Sequence, residues 1–536
     1  MEKTRKVGFG FFAEIGRRAA DEFRDFRRRL RAMVRNDWIF LLALGVVVAA
    51  GFWVRWQYLD RPIQEDEAAT YCWYAAQAWY RILSWYTAVN NHIFHTLLMH
   101  WALAFGNSEP ILRLPAFVAG LLGIPALYFL GRRLYARETG LLAAALVAVS
   151  APMVDYATNA RGYSLLVLFS LLTWLVAASV LRRPGVWAWI GLVVFPALGL
   201  WTLPLMLFPY AATFLWLGLA AALEKSWPET WRFWLRLGLA GAATGCLALV
   251  FYSPVILAMG GRLLHSAGPR VVTPAELGAA MPALLAQMGR YYGLGWPPAV
   301  LWAVAAGGAI GVWPWRTGAQ CRLAPLVPLL FVTVGGVVWQ KRMPMGGFGR
   351  SMLFLVPFAL LAAAYGWTTL VRVACRRRVT APAWIAIAGA GLLAAGLGVR
   401  VARLGWLSSM DFLTEPAYND EEAIVEFLKP RMGPKDRVYV ASGIHTWTLK
   451  YYLLRHDAPN FEIPFAETDN LYLVRKHRNP SPYMDGILAP VKHLFAEPEL
   501  VREFPYSSLY VYRRLDAAKT ATAGGEGRPA DALAPP

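Results

Sequence analysis

The feature that most limits what this chain can fold into is the recurrence of apolar runs of 16 to 23 residues through its first 400 positions. A helix needs about 20 residues to cross the hydrocarbon core of a bilayer. Inside that core every backbone polar group must be satisfied within the segment, so such runs become helices. We place spans at roughly 38–58, 113–131, 139–155, 164–181, 187–203, 205–223, 237–258, 299–314, 323–339, 352–371 and 383–403. Only 16% of the 536 residues are charged, where a soluble domain carries about a quarter. The expected fold is an α-helical polytopic membrane protein with about 11–13 transmembrane helices and a small C-terminal α/β domain.

The net charge of +19 does not point to nucleic acid, because the basic residues cluster at span ends. With the N-terminus inside, the cytoplasmic connections read "GRRLYARE", "LRRPG", "EKSWPETWRFWLR", "WRTGAQCR" and "VRVACRRR", all basic, as the positive-inside rule requires. The 24 tryptophans fit a membrane protein too, since Trp collects at the interfaces. Residues 1–37 are too long and too charged for a cleavable signal, and "FFAEIGRRAADEFRDFRRRLRAMV" reads as a basic amphipathic helix on the cytoplasmic surface. Cys72, Cys246, Cys321 and Cys375 form no close pair, so neither a disulfide framework nor a cysteine metal site is expected.

The transmembrane domain is expected over 38–404, with a long first outer loop at 59–112. Within it "NHIFHTLLMHWALAFG" would be short for a span and would hold three histidines, and it reads as a helix resting in the outer interface or dipping partly into it. From 405 to 515 the composition becomes that of an extracytoplasmic α/β domain. "DEEAIVEFLKPRM" is an amphipathic helix with Asn419 or Asp420 as N-cap, and "DRVYVAS" and "SSLYVYRRL" are strands. The Ala/Gly/Pro-rich residues 516–536 read as a disordered tail.

Four stretches carry candidate chemistry. "QEDEAATY" sets Glu65, Asp66 and Glu67 beside aromatic sequence, where crowded carboxylates repel and at least one pKa rises. Solvated interfacial acids are the bland reading. A base or a divalent cation held by the three is the functional one, and no metal site is otherwise marked. "NNHIFHT" puts Asn91 and His92 at the start of the interfacial helix, where free N–H groups favour anions. His92 and His95, three apart, lack a third metal ligand and read better as polar anchors of the interfacial helix than as a metal pair. "APMVDYATNARGYSLL" places Asp155, Arg161 and Tyr163 where one span emerges and the next enters. An arginine there is paired, snorkels or binds phosphate. "QKRMPMGGFGRSMLFL" brings Lys341, Arg342 and Arg350 to the outer side, against the charge rule, as an anion site or a plain loop. No P-loop, Rossmann fingerprint or serine elbow is present. A lipid-linked anionic substrate reached from the bilayer fits this pattern better than a nucleotide.

The order of these motifs resembles that of GT-C superfamily glycosyltransferases of the family 39 type, the branch of protein O-mannosyltransferases and lipid A aminoarabinose transferases. It rests on the acidic pair Asp66–Glu67 after the first span. "NNHIFHTLLMHWALAFGNSEPILRLPAF", "GRRLYARETGLLAAALVAVSAP" and "DYATNARGYSLL" follow, over about residues 38–180. Many relatives carry His-Pro-Pro where this chain has His92-Ile93-Phe94. The resemblance implies sugar transfer, with inversion, from a polyprenyl-phosphate donor to a hydroxyl of a protein, glycolipid or polysaccharide. Asp66 would be the base and Glu67 would orient it or the acceptor. Arg161, Lys341, Arg350 and His92 would hold the donor phosphate, and Asn91, Asp155 and Tyr163 the rest of the substrate. Some members of the fold use a divalent cation, which Glu65, Asp66 and Glu67 could hold. The Ala-, Arg- and Trp-rich composition suggests a bacterium with a GC-rich genome, and the resemblance implies an inner-membrane protein with its site on the extracytoplasmic face. A transporter of lipid-linked sugars would ask for charges deep in spans and repeated halves, and neither stands out. A non-catalytic member of the fold is the other alternative.

Overall fold

A computed structural model describes residues 2–87, 90–182, 184–260, 295–312, 348–375, 380–404, 420–440, 446–458, 464–477 and 491–515, with a few single positions between them. Seven of its helices are long and apolar enough to cross a membrane: Trp38–Trp56, Glu109–Leu134, Tyr163–Arg182, Pro204–Glu224, Trp227–Met259, Leu355–Ala374 and Ala381–Ala402. Three apolar helices are shorter, Ile93–Phe105, Val186–Thr202 and Pro298–Gly311. The expected span at 323–339 lies outside the described residues, as do Cys321, Asn419 and the tail 516–536. The chain forms two compact units. One holds Met1–Asp60, Trp79–Phe105 and Pro110–Met410, and the other Arg61–Ala78, Gly106–Glu109 and Asp411–Pro536.

The first unit is the helical bundle. At one end Asp37 binds Arg132 and, at 2.6 Å, Arg137, while Glu138 binds Arg372 at 2.8 Å. These residues come from the basic connections read as cytoplasmic. Helix Glu2–Asn36 reaches the same kind of connection, since Glu22 accepts the backbone N–H of Val186 at 2.9 Å at the start of the helix Val186–Thr202. At the other end the Tyr58 hydroxyl donates to the carbonyls of Val401 and, at 2.9 Å, Leu404. Trp296 donates to Val149 at 3.1 Å there. Among the described residues, these contacts gather at the start and at the end of the first span, Trp38–Trp56.

The expected span at 139–155 is a helix over Arg137–Ala148 that stops short, followed by one turn at Ala151–Asp155. The reason is the buried Arg55 on the first span. Its guanidinium donates to the carbonyls of Gly51 (3.0 Å), Ala148 (2.8 Å) and Met153 (3.4 Å), so carbonyls that the helix break orphans find a donor inside the bundle. Elsewhere small residues let helices touch. A Cβ on Gly366 would lie 1.9 Å from the carbonyl oxygen of Gly307, and one on Gly311 would lie 2.1 Å from that of Ala362. Helices Pro298–Val312 and Leu355–Ala374 therefore meet backbone to backbone.

The second unit carries a four-stranded sheet in the order β1-β2-β4-β3, with β1 Arg437–Val440, β2 Asn470–Lys476, β3 Glu499–Glu503 and β4 Ser507–Arg513. β1 and β2 are parallel, with Val438 opposite Tyr472, and the helix Thr446–Arg455 lies between them in sequence. β4 runs antiparallel to both its neighbours. Helix Glu421–Leu428 starts at Asp420, whose side chain accepts from Tyr506 N–H (2.8 Å) and the Ser507 hydroxyl (2.7 Å) instead of capping its own helix. Next to it, Lys476 and Glu421 form a buried ion pair at 2.8 Å.

Substituting Gly366→Val should force the two glycine-packed helices apart and cost about 2 kcal/mol or more. A lower thermal midpoint of the detergent-purified protein, read by tryptophan fluorescence, is the expected result. An unchanged midpoint would contradict the close helix contact.

Candidate active site

Two groups of polar residues stand out, one in each unit. The first gathers around His92, which precedes the helix Ile93–Ala102. Its neighbour Asn91 is buried and donates through its amide to the carbonyls of Ile82 (3.0 Å) and Trp85 (2.9 Å), which closes the end of the helix Trp79–Ser84. The His92 ring turns the other way. Its Nδ1 accepts the backbone N–H of Gly162 at 2.8 Å, which joins two motifs 70 residues apart. A Cβ at Gly162 would lie 3.1 Å from that Nδ1 and 2.7 Å from Thr202 Cγ2, so a glycine permits the approach.

Around this bond stand the other candidates. The Tyr163 ring meets His92 edge-on at 5.3 Å and Tyr156 at 4.9 Å. Arg161 is 4% exposed, with its guanidinium carbon 5.7 Å from the Tyr163 ring centre. Asp155 is buried at the end of the turn Ala151–Asp155. Arg350, on the short helix Phe348–Ser351, is half-buried. Lys341 lies outside the described residues. Burial, followed by the charge of Arg161, the ring of His95 and the charge of Arg350, pushes the His92 imidazole well below its ordinary pKa. The hydrogen bond says the same independently. A ring that accepts at Nδ1 is unprotonated there, so in the neutral imidazole Nε2 carries the proton. The arrangement offers one neutral N–H donor beside two cations, which suits an anion.

The second group is the acidic stretch. Glu65, Asp66 and Glu67 open the helix Glu65–Thr70, where successive side chains diverge by about 100°. Glu65 accepts the backbone N–H groups of Trp447 and Thr448, each at 3.2 Å, at the start of the helix Thr446–Arg455. Glu67 is fully buried and turns back to accept the Gln64 N–H at 2.9 Å, forming a capping box. Asp66, between them, is half-buried. Burial pushes the Glu65 carboxyl up to about 8, against the pull of the two N–H bonds, with Glu421 and Asp66 adding to the rise.

Glu65 and Glu67 thus each hold backbone amides, in different directions. A Glu/Glu/His group that could hold a metal ion lies elsewhere among the described residues, at Glu422, Glu426 and His456, whose ligand atoms fall within 4.8 Å of one another. Glu422 also faces Arg455 at 3.1 Å, a cation that competes with a metal. Two buried residues were not among the candidate site residues. Arg55 carried a signal, an arginine inside an apolar run. His95 carried only its spacing from His92. It is fully buried, and neither ring nitrogen has a hydrogen-bond partner.

Residues 93–257 match the model of the family described as dolichyl-phosphate-mannose-protein mannosyltransferase, which is less than half of the chain. Over this segment the chain resembles the family 39-type glycosyltransferases of the GT-C superfamily. The segment includes Asp155, Arg161 and Tyr163, and it begins one residue after His92. A comparison with curated proteins gives no significant match. Among solved structures, apo ArnT from Cupriavidus metallidurans aligns with 15% identity and a TM-score of 0.48, over 89% of this chain and 98% of its own. The same enzyme bound to undecaprenyl phosphate aligns with 15% identity and a TM-score of 0.45 over the same shares. The Archaeoglobus fulgidus oligosaccharyltransferase tethered to an acceptor peptide aligns with 10% identity and a TM-score of 0.47, over 89% and 74%.

Two measurements check this geometry. Nitrogen-15 spectra of histidine-labelled protein should show His92 neutral and protonated at Nε2 down to pH 6. A charged ring at that pH would break the Gly162 contact. Glu65 favours the folded protein in its protonated form. Its contribution is therefore full below about 4.5 and is lost as the pH rises through about 8. Glu65→Gln should flatten the fall of the thermal midpoint between about pH 4.5 and 8.

Proposed function

We propose that the protein is a membrane glycosyltransferase that moves a sugar from a polyprenyl-phosphate donor to an acceptor hydroxyl on the extracytoplasmic face, with inversion. The observation that carries the reading is the neutral His92 N–H donor held by Gly162 beside Arg161 and Arg350, next to and within the segment matching the mannosyltransferase family model. That ArnT has been solved with undecaprenyl phosphate is consistent with a lipid phosphate as ligand. In this reading residues 38–404 are the transferase domain, 405–515 an extracytoplasmic domain, 1–37 a cytoplasmic surface segment and 516–536 a tail.

The roles follow from the chemistry. Asp66 takes the proton of the acceptor hydroxyl, and the freed oxygen attacks the anomeric carbon from the side opposite the phosphate. The bond from that carbon to the phosphate oxygen breaks, and the prenyl phosphate leaves with the electron pair. Arg161, Arg350, Lys341 and the His92 N–H stabilise the charge that grows on this leaving group. Glu67, bound to its own helix start, fixes the direction in which the acidic segment presents Asp66. Asn91, Asp155 and Tyr163 shape the donor pocket. A divalent cation at Glu65, Asp66 and Glu67 is not part of this reading, since two of the three carboxylates already serve backbone amides. The acceptor is a hydroxyl of a protein, glycolipid or polysaccharide, and the membrane is the bacterial inner membrane.

The test is an in vitro transfer assay with radiolabelled polyprenyl-phosphate sugars and a membrane extract as acceptor. Wild type should move label. Asp66→Asn should lose transfer while keeping its thermal midpoint and donor binding. Arg161→Gln should lower transfer about 100-fold or more. Undiminished transfer by Asp66→Asn would remove it as the base.

A further inference from the structure

The His92 group leaves one residue of its own helix unexplained. His95 is fully buried, one turn beyond His92, and neither Nδ1 nor Nε2 has a hydrogen-bond partner. Buried polar atoms are nearly always paired, and those that are not call for a reason. They are also concentrated here. The Asn91 Oδ1 is buried without a partner, and so is the indole Nε1 of Trp201, whose ring stacks at 5.1 Å on Phe94, the residue before His95. His95 stands within electrostatic reach of both His92 and Arg161, the residues assigned above to the donor phosphate.

The chemistry of the unpartnered ring is specific. A neutral imidazole offers one N–H donor and one bare nitrogen acceptor. An ionised phosphate ester only accepts hydrogen bonds, so it can satisfy one of the two. A hydroxyl both accepts and donates. We propose that His95 recognises a hydroxyl of the sugar carried by the lipid donor, donating through one ring nitrogen and accepting through the other. This rests on the reading of the His92–Arg161 group as the donor site. It makes His95 a specificity residue that distinguishes a glycosylated lipid phosphate from a bare one. The folded protein tolerates the unpaired imidazole because the ligand completes it, a common exchange of stability for function.

The experiment uses the full chain in nanodiscs. Binding of decaprenyl phosphate is compared with that of a panel of decaprenyl-phosphate sugars (hexose, pentose and aminopentose), for wild type, His95→Phe and His95→Gln. Phenylalanine fills the site without polar atoms, so the thermal midpoint should hold or rise. Affinity for the best-bound glycosylated lipid should fall about tenfold or more, while bare decaprenyl phosphate binds unchanged. Glutamine, which also donates and accepts, should recover affinity to within about threefold of wild type. Equal binding of the glycosylated lipid by His95→Phe would overturn the proposal and leave the donor site standing. Equal loss of both lipids in both variants would overturn it as well, by assigning His95 to the shape of the site. Failure of wild type to bind either lipid would remove the donor-site reading, and this inference with it.

Discussion

The guanidinium of Arg55 is the contact on which the arrangement of the bundle's first half depends. An arginine inside an apolar helix is costly unless its donors are used. Here its two terminal nitrogens are used by carbonyl oxygens, two of which belong to a helix that stops at Ala148 and a turn that resumes at Ala151, while Nε has no partner. Each side of this contact removes the other's problem. The break exposes carbonyls that need donors, and the buried cation needs acceptors. The break in turn sets the exit of the chain through residues 156–162. That stretch delivers Arg161 and the Gly162 N–H to His92. A continuous helix over 139–155 would have carried Asp155 and Arg161 elsewhere.

The opposite end of the bundle follows a different electrostatic rule. There the cations are partly exposed and numerous, and two acids, Asp37 and Glu138, tie three of them together. Such pairs contribute little to stability individually. Their value is positional, since they join the first span to the two helices around residues 132–138 and to the end of Leu355–Ala374. The bundle thus has one end organised by ion pairs between connections and another organised by donors aimed at backbone carbonyls. At the second, a histidine that accepts a backbone N–H at Nδ1 sits beside buried Arg161.

The sequence made the bundle legible because hydrophobic length is a direct physical requirement of a membrane span. The charge bias likewise sorted the connections to the ends where Asp37 and Tyr58 lie. It made β1 and β4 legible through their alternation. β2, "NLYLVRK", alternates as clearly, while β3, "ELVRE", is largely exposed and has no apolar face to betray it. The candidate residues were visible one by one, as polar groups at span ends. What the sequence could not show is how they are joined. The bond from Gly162 to His92 spans 70 residues and depends on a glycine's lack of a side chain. Nor could it show that Arg161, far away in the chain, comes within electrostatic reach of the buried His95.

The acidic stretch shows how adjacency in sequence differs from adjacency in space. Three consecutive carboxylates suggest a single crowded site. On a helix they diverge, and two of the three meet backbone N–H groups that would otherwise lack acceptors. Glu67 closes its own helix start, and Glu65 closes the start of Thr446–Arg455. What crowding remains falls on Glu65, and burial pushes its carboxyl to about 8. At neutral pH Glu65 is therefore mostly protonated, which leaves one fewer negative charge beside Asp66. The repulsion that made the motif conspicuous is relieved by divergence around the helix and by the raised pKa of the Glu65 carboxyl. In the proposed reaction this leaves the part of the base to Asp66, with its neighbours on either side holding the backbone that positions it.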